Sequence, residues 1–295
     1  MSLSMAIAPE FFSDIGKKSR EILFNGYEST FGIISFTCSK LRGENGIIAS
    51  GKITSNSYFV GTNARFKMKN ITTDVNVDKS AGLFATVAVD KIVPGLKTIF
   101  NFNPTPQKFG EMKLIYQHEH DEDTAFSTSL EFPSNPTVNF SGLVSRNLYE
   151  IIPFKNSSLS VGTDISFNTA TKEFTKYDIG LELASRYFRL SVLLNDKIHT
   201  RTTSLCNYLD PKTAFSYQIS GNLYHYADMH ATIGFQRTLG PYTILKGQTW
   251  VDFYGGLAVK ASLTHEFLPM CSFTIAGDVS DQRPPNVGFS LSLMH

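Results

Sequence analysis

Residues 46–53 carry a spacing that could do chemistry on phosphates. They read Gly-Ile-Ile-Ala-Ser-Gly-Lys-Ile, which nearly fits the phosphate-binding loop of nucleotide hydrolases. That loop needs a serine or threonine hydroxyl for magnesium at its last position and a helix after it. Ile53 stands at that position, and residues 58–60 read as a strand. A β-hairpin is therefore the better interpretation of this stretch.

Histidines and acidic residues at two places could bind a metal ion. His118 and His120 stand in the acidic run 118–123 and would share one face of a strand, as two imidazole ligands can. No third ligand can be assigned, and the run stands where a turn is expected. The pair His225 and His230, with Asp228 between them, has the same weakness. The sequence thus predicts no metal, no cofactor and no catalytic residue.

The composition excludes several other classes of function. The 295 residues include 27 basic and 26 acidic ones, so bulk charge gives no case for nucleic-acid binding. The three widely spaced cysteines argue against a disulfide framework. The chain has no apolar run of about 18 residues, the length that a membrane-spanning helix needs. The first eight residues also lack the basic and apolar regions of a secretion signal.

A helical period is confined to residues 9–25. Phe12, Ile15 and Ile22 fall within one third of a helical wheel. Pro9 suits the first helical position, and Gly26 suits the position just past the end. An amphipathic helix is therefore predicted. Its charged residues on the remaining two thirds include Asp14, Lys17, Lys18, Arg20 and Glu21.

After Gly26 the period becomes two, as in strands with one apolar and one polar face. In residues 159–167, Leu159 and Val161 lie on the apolar face, while Ser160 and Asp164 lie on the other. The pattern recurs along the remaining chain. At ~9–11 residues for each membrane-spanning strand plus a turn, that length holds about nineteen strands. The polar face suits the wet exterior of a soluble sandwich or the water-filled lumen of a membrane barrel equally well, so periodicity leaves both open.

Several stretches resemble one family. Residues 12–23, FSDIGKKSREIL, resemble the N-terminal helix of the voltage-dependent anion channels, the eukaryotic mitochondrial porins. Residues 70–75, 94–98, 135–142, 161–167 and 265–269 are similar to the plant branch. The resemblance implies an all-β fold: a transmembrane β-barrel of about nineteen strands, the number known for this family. The barrel would lie in the mitochondrial outer membrane, with the N-terminal helix inside its pore.

The resemblance also implies that the chain has two structural regions. Residues 1–26 would form the N-terminal tail and pore helix, and residues 27–295 the barrel. The helix would be anchored by Phe12, Ile15 and Ile22 and would hinge at Gly26 and Gly32. Candidate pore-lining and solute-contacting residues are Asp164, Glu182 and Lys260, together with Lys97 in the family segment Gly95-Leu96-Lys97.

The C-terminal stretch is similar to the β-signal that the outer-membrane assembly machinery reads. Its key positions are Asn286, Gly288, Leu291 and Leu293. The expected partners are thus the lipid bilayer, this machinery, and transported anions and nucleotides bound at low affinity. Further copies of the chain and cytosolic docking proteins are also possible partners, and no nucleic acid is expected.

Four residues at three places depart from the plant pattern and suggest a divergent paralogue. Gly240 stands where the family has aspartate, Gln248 where it has a basic residue, and Phe267-Leu268 where it has Trp-Arg. Because two basic residues are lost, we expect a voltage-dependent channel with only weak-to-moderate anion preference that still passes ATP and ADP. The alternative is a poorly conducting barrel that acts as a docking protein.

Overall fold

One continuous β-sheet and a short N-terminal helix make up the described chain. A computed structural model describes residues 9–27, 34–42, 45–53, 58–78, 82–90, 93–105, 108–117, 124–132, 136–148, 157–268, 271–281 and 283–294. None of the helices in these ranges is long and apolar enough to cross a membrane.

The elements follow one another with short connections. The helical segments are a 3₁₀ turn, Phe12–Asp14, the helix α1, Lys17–Leu23, and a second 3₁₀ turn, Tyr226–Asp228. The strands are β1 Ile34–Arg42, β2 Asn45–Ile53, β3 Tyr58–Met68, β4 Ile71–Asp78, β5 Gly82–Asp90, β6 Leu96–Thr105, β7 Lys108–Gln117, β8 Thr124–Phe132, β9 Thr137–Asn147, β10 Ser158–Asn168, β11 Glu173–Ala184, β12 Phe188–Asn195, β13 Thr200–Asp210, β14 Thr213–Asn222, β15 His230–Gly240, β16 Thr243–Asp252, β17 Leu257–Leu268, β18 Cys271–Ser280 and β19 Arg283–Met294.

The sheet closes into a 19-stranded barrel. Each strand pairs antiparallel with the next along the chain, and β1 pairs with β19 in parallel, from Ile34 opposite Phe289 to Ser39 opposite Met294. An odd number of consecutive antiparallel strands leaves the first and last running in the same direction, so the seam must be parallel. Closure leaves no unpaired sheet edge. The predicted all-β barrel of about nineteen strands is confirmed, and the soluble sandwich is excluded.

The strands keep the predicted alternation between an apolar and a polar face. Val161 and Phe289 lie exposed on the outer face, at 46% and 45% of their surface. Ser160 and Ser216 lie on the other face and are fully buried. The N-terminal helix packs on that second face, through contacts with β13, β14, β15 and β16. The polar face is therefore the lumen, and the apolar face is the one turned outward.

Residues 46–53, which nearly fit the phosphate-binding loop, belong to β2, and this strand pairs with β1 on one side and β3 on the other. Residues 58–60 begin β3. The next described element is β3, which pairs antiparallel with β2, so the hairpin interpretation of this stretch is confirmed.

The N-terminal helix is shorter than the predicted span of residues 9–25. It breaks between the 3₁₀ turn and α1 at Gly16, whose φ of 71° lies in the left-handed region that favours glycine. Arg20 holds the break closed, since its Nη1 donates to the Ile15 carbonyl at 2.7 Å and its Nη2 to the Ser13 carbonyl at 2.6 Å. The expectation of one uninterrupted helix is wrong, because the break turns the 3₁₀ segment toward β9 and β10.

Candidate functional site

The pore helix packs its apolar residues on the lumen wall. Ile15 is completely buried, and it clusters with Phe12, Leu143 and Leu193. Seven residues further along the chain, Ile22 of α1 forms a second cluster, whose wall residues are Cys206, Tyr208 and Ala214. The three residues predicted as anchors therefore all lie against the barrel, on strands β9 and β12–β14.

Glycines on the lumen face let the helix approach the wall closely. A Cβ atom at Gly180 would lie 2.7 Å from the Ile15 Cδ1, and one at Gly234 would lie 2.8 Å from the Leu23 Cδ2. Real carbon atoms do not approach this closely, so any larger residue at these places would have to push the helix away. In the sequence, the signal was glycine on the polar face of a strand.

Serines fill much of the wall beneath the helix. Ser19 of α1 and Ser216 of β14 share a hydrogen bond between their hydroxyls. Elsewhere on this wall Ser191 bonds Ser204 at 2.6 Å, and Ser145 bonds Ser160 at 2.7 Å. These short side chains satisfy each other's hydrogen bonds when water is excluded, which is what buried polar groups require.

Glu182 lies beneath the start of α1. Its Oε2 accepts a hydrogen bond from the Gly16 amide at 2.6 Å, and its Oε1 lies 3.0 Å from Nη1 of Arg189. Only 1% of the side chain is exposed. Glu182, a candidate pore-lining residue, thus lies on the lumen side, where it contacts the helix and not the solution in the pore.

The charges of the pore helix are largely paired within the helix. Lys17 bonds Asp14 at 2.9 Å, and Lys18 bonds Glu21 at 2.9 Å. The hydrogen bond and negative charge of Asp14 raise the pKa of Lys17 above its ordinary value, so this lysine stays charged at neutral pH. Arg20 differs from the two lysines, because its guanidinium donates to backbone carbonyls and no salt bridge joins it to a carboxylate among the described residues.

A lysine of the wall contacts the other end of α1. Lys246 on β16 donates from its Nζ to the Glu21 carbonyl at 2.9 Å and to the Asn25 carbonyl at 3.1 Å. The Tyr27 hydroxyl donates to the Ile22 carbonyl at 3.3 Å, and burial raises the pKa of Tyr27 above its ordinary value. Sequence reasoning missed both contacts. Gly26, one of the two predicted hinge glycines, has a φ of 84°, in the left-handed region that favours glycine, whereas Gly32 lies outside the described residues.

A different arrangement lines the lumen on β3–β7, where charged residues pair across neighbouring strands. Arg65 contacts Asp74 through two nitrogens, at 2.6 and 3.2 Å. Lys97 lies 3.2 Å from Asp90, so the predicted anion contact is engaged in an ion pair. Asn101 connects Thr86 to Glu111 by hydrogen bonds of 2.9 and 3.1 Å.

A charged cleft of about 380 Å³ separates the 3₁₀ turn from the adjoining wall. Lys113 and Lys176 contribute positive charge, and Glu111 and Asp164 contribute negative charge. Lys176 lies 2.6 Å from Asp164 and 3.2 Å from Asp178. Asp164, predicted to line the pore, therefore lies in the lumen next to a cation.

The remaining predicted residues lie elsewhere in the barrel. Lys260 is half-buried on the lumen face of β17, opposite Gln248 and Asp278. Asn286 and Gly288 share this face on β19, and Leu291 lies on the opposite parity. Leu293 belongs to the seam pairing, but its side chain is outside the described part of the chain, as are residues 118–123. Among the described residues, His225, Asp228 and His230 included, no group could hold a metal ion.

Gln248 and Gly240, two of the positions at which we expect a departure from the plant pattern, lie away from the centre of the lumen. Gln248 is buried and pairs with Gly234, the glycine that contacts Leu23 of the helix. Gly240 ends β15, with nothing within 4 Å of the place where a Cβ would stand. The change at Gln248 therefore affects the surface under the helix, and the change at Gly240 affects the end of a strand.

Comparisons with known proteins agree with this architecture. The family model of the eukaryotic porins matches residues 8–288. The chain is 34% identical to the mitochondrial outer membrane porin of 36 kDa from Solanum tuberosum, over 98% of this chain and 99% of the relative. It is 32% identical to mitochondrial outer membrane porin 1 of Arabidopsis thaliana over the same shares. It is 33% identical to an outer plastidial membrane porin of Zea mays, over 99% of this chain and 100% of the relative.

Proposed function

Because the chain belongs to the eukaryotic porin family, whose members are channels, we propose that it lets inorganic anions and metabolites such as ATP and ADP diffuse across the mitochondrial outer membrane. The observation that carries this proposal is the closed 19-stranded barrel with a polar lumen and an apolar exterior. Barrels of 16–18 strands already leave an aqueous channel.

The apolar outer face supports a position in the bilayer. A strand can cross lipid only when all of its backbone groups are paired, and a closed barrel meets that condition. The lumen then provides a water-filled path whose charges set the selectivity. Voltage-dependent closure is consistent with the family.

The charges of the lumen support weak selectivity. Asp14 and Glu21 pair with two of the three helix cations, and Arg65, Lys97 and Lys176 each pair with an aspartate of the wall. Paired charges attract a passing ion less than isolated ones do. Arg20, whose hydrogen bonds among the described residues go to the Ile15 and Ser13 carbonyls, is the helix residue from which we expect the remaining preference for anions.

The reversal potential in a salt gradient across a planar bilayer tests this selectivity. We expect a small potential of the sign that anion preference gives, and it should shrink further as the salt concentration rises, because salt screens exposed charges. A clearly cation-selective conductance would contradict the proposal.

The charged cleft supports passage of nucleotides at low affinity. Lys113 and Lys176 could contact phosphate groups, while Glu111 and Asp164 beside them oppose tight binding. Liposomes loaded with ATP and containing the refolded protein should release it, whereas matched liposomes without the protein should retain it. Retention of ATP by liposomes that release chloride would remove nucleotides from the proposed solutes.

The organelle is part of the proposal, because the relatives include both mitochondrial and plastidial outer membrane porins. We favour mitochondria because residues 12–23 resemble the helix of the mitochondrial family. A tagged full-length chain in plant cells should co-purify with the outer membrane of mitochondria. Recovery with the plastid envelope alone would contradict the mitochondrial location and would indicate that the channel lies in the plastid outer membrane.

Assembly from β19 is a further part of the proposal. This strand carries the β-signal pattern and pairs with β1 at the seam, so it is the last strand that closure needs. We expect that replacing Gly288 by a bulky residue lowers insertion into isolated mitochondria. Unchanged insertion would remove the β-signal role from this stretch.

A further inference from the structure

We propose that Lys246 is a positioning residue that holds the C-terminal end of the pore helix against the barrel wall. The proposal rests on the channel function and deepens it, because a helix in the lumen affects conduction only as far as its position is fixed. Lys246 belongs to β16, 225 residues along the chain from the glutamate whose carbonyl it contacts.

The geometry of the contact is that of a helix cap supplied from outside. The last carbonyls of a helix have no partner within it and need donors from elsewhere. In α1 the Glu21 carbonyl receives the Lys246 ammonium at 2.9 Å, and the same nitrogen reaches the Asn25 carbonyl at 3.1 Å. A lysine is well suited to this place, since a positive charge near a helix C-terminus is stabilising.

The same side chain reaches the turn where the helix joins the barrel. A Cβ at Gly26 would lie 3.9 Å from both Cδ and Nζ of Lys246. One wall residue thus contacts the last turn of the helix, Asn25 two residues beyond it, and the turn at Gly26. At the opposite end of α1 the wall supplies an acceptor, because Glu182 receives the Gly16 amide. The wall therefore fixes both ends of the helix with opposite chemistries.

A native thiol reports whether the helix is in place. Cys206 lies on the lumen face of β13, is 1% exposed and clusters with Ile22 of α1. The other two cysteines are Cys38 and Cys271. Cys38 lies on the outward face of β1, and Cys271 lies at the start of β18. After Cys38→Ser and Cys271→Ser, a small hydrophilic thiol reagent modifies Cys206 only when the helix leaves its site.

The experiment compares rates of Cys206 modification by a methanethiosulfonate reagent in the refolded full-length barrel in liposomes. Because Lys246→Met removes two hydrogen bonds from a charged donor, we expect modification at least about tenfold faster than with Lys246 intact. Lys246→Arg can still donate to both carbonyls and should restore slow modification. Lys260→Met, a lumen lysine on the next strand, should leave the rate unchanged.

Each outcome bears on the proposal. Equal rates in the Lys246→Met and Lys260→Met variants, or fast modification in Lys246→Arg, would overturn it. If Lys246→Met does not refold, Lys246→Gln takes its place, because glutamine keeps a polar head group. Cys206 should then be modified severalfold faster in Lys246→Gln than in Lys246→Arg. The assay needs no ion current, so a silent channel with the expected labelling pattern would contradict the proposed function and leave the role of Lys246 intact.

Discussion

Two parts of the lumen wall use the same strand period for different purposes. The docking wall, strands β9–β16, presents glycines and serines on its lumen face and is covered by the pore helix. The charged wall, strands β3–β7, presents long charged side chains such as Arg65 and Asp74, which pair across strands. Small residues permit close packing, whereas long charged residues need water around their heads.

The difference shows that polar residues in a lumen need not serve permeation. On the docking wall, Glu182 and Lys246 bind backbone groups of the helix. On the charged wall, the exposed heads of Arg65 and Lys97 meet the solution. Changes at Glu182 and Lys246 should therefore alter where the helix lies, and changes at Arg65 and Lys97 should alter which ions pass.

The largest expected effect comes from Ile15, the fully buried anchor of the helix. Ile15→Ala should weaken docking by about 2–5 kcal/mol, the usual cost of such a truncation in a packed site. Faster modification of Cys206 measures it. Phe24→Ala is the matched control at the other end of the helix, because Phe24 is 42% exposed. Equal labelling of the two variants would contradict the apolar anchoring.

A smaller effect is expected when the docking wall itself is filled. Gly180→Val places a side chain where Ile15 now lies, and overpacking of this kind costs about 1–3 kcal/mol. Valine suits a strand, so the barrel should keep its far-ultraviolet circular dichroism while Cys206 reacts faster. Gly240 faces open space at the end of β15, so Gly240→Val should change neither the circular dichroism nor the rate of Cys206 labelling. A Gly180→Val variant with slow labelling would show that the helix does not rest on this glycine.

The smallest effect is expected on the charged wall. Arg65→Gln leaves Asp74 without its bidentate partner and should move the reversal potential slightly toward cations. Asp74→Asn should move it the other way, and neither change should alter the labelling of Cys206. Exposed ion pairs contribute only about 0–1 kcal/mol to stability, so both variants should refold normally. If the reversal potential shifts with the same sign in both variants, the charges of Arg65 and Asp74 do not set the ion selectivity.

Much of the barrel could be predicted from the sequence, because alternation and length are local properties. The pairing of Arg65 with Asp74 was also within reach, since a two-residue turn between Met68 and Ile71 sets the register of that hairpin. The break at Gly16 was missed, because a helical wheel treats glycine as one more position.

The contacts of Glu182 and Lys246 with the helix could not be predicted from strand patterns. They join residues 166 and 225 positions apart, and their existence depends on which strands the helix crosses. That choice follows from glycines on three separate strands: Gly162 and Gly180 pair with each other in the β10–β11 hairpin, whereas Gly234 lies on β15, so the whole surface forms only when the sheet between them has assembled.

Single-channel recording of the refolded chain in a planar bilayer tests the central claim most directly. The account predicts discrete, reproducible current steps at low voltage, because the docked helix leaves the charged wall facing a water-filled lumen. Protein that inserts into the bilayer, as shown by its resistance to carbonate extraction, but gives no current steps would contradict the account and favour a docking barrel.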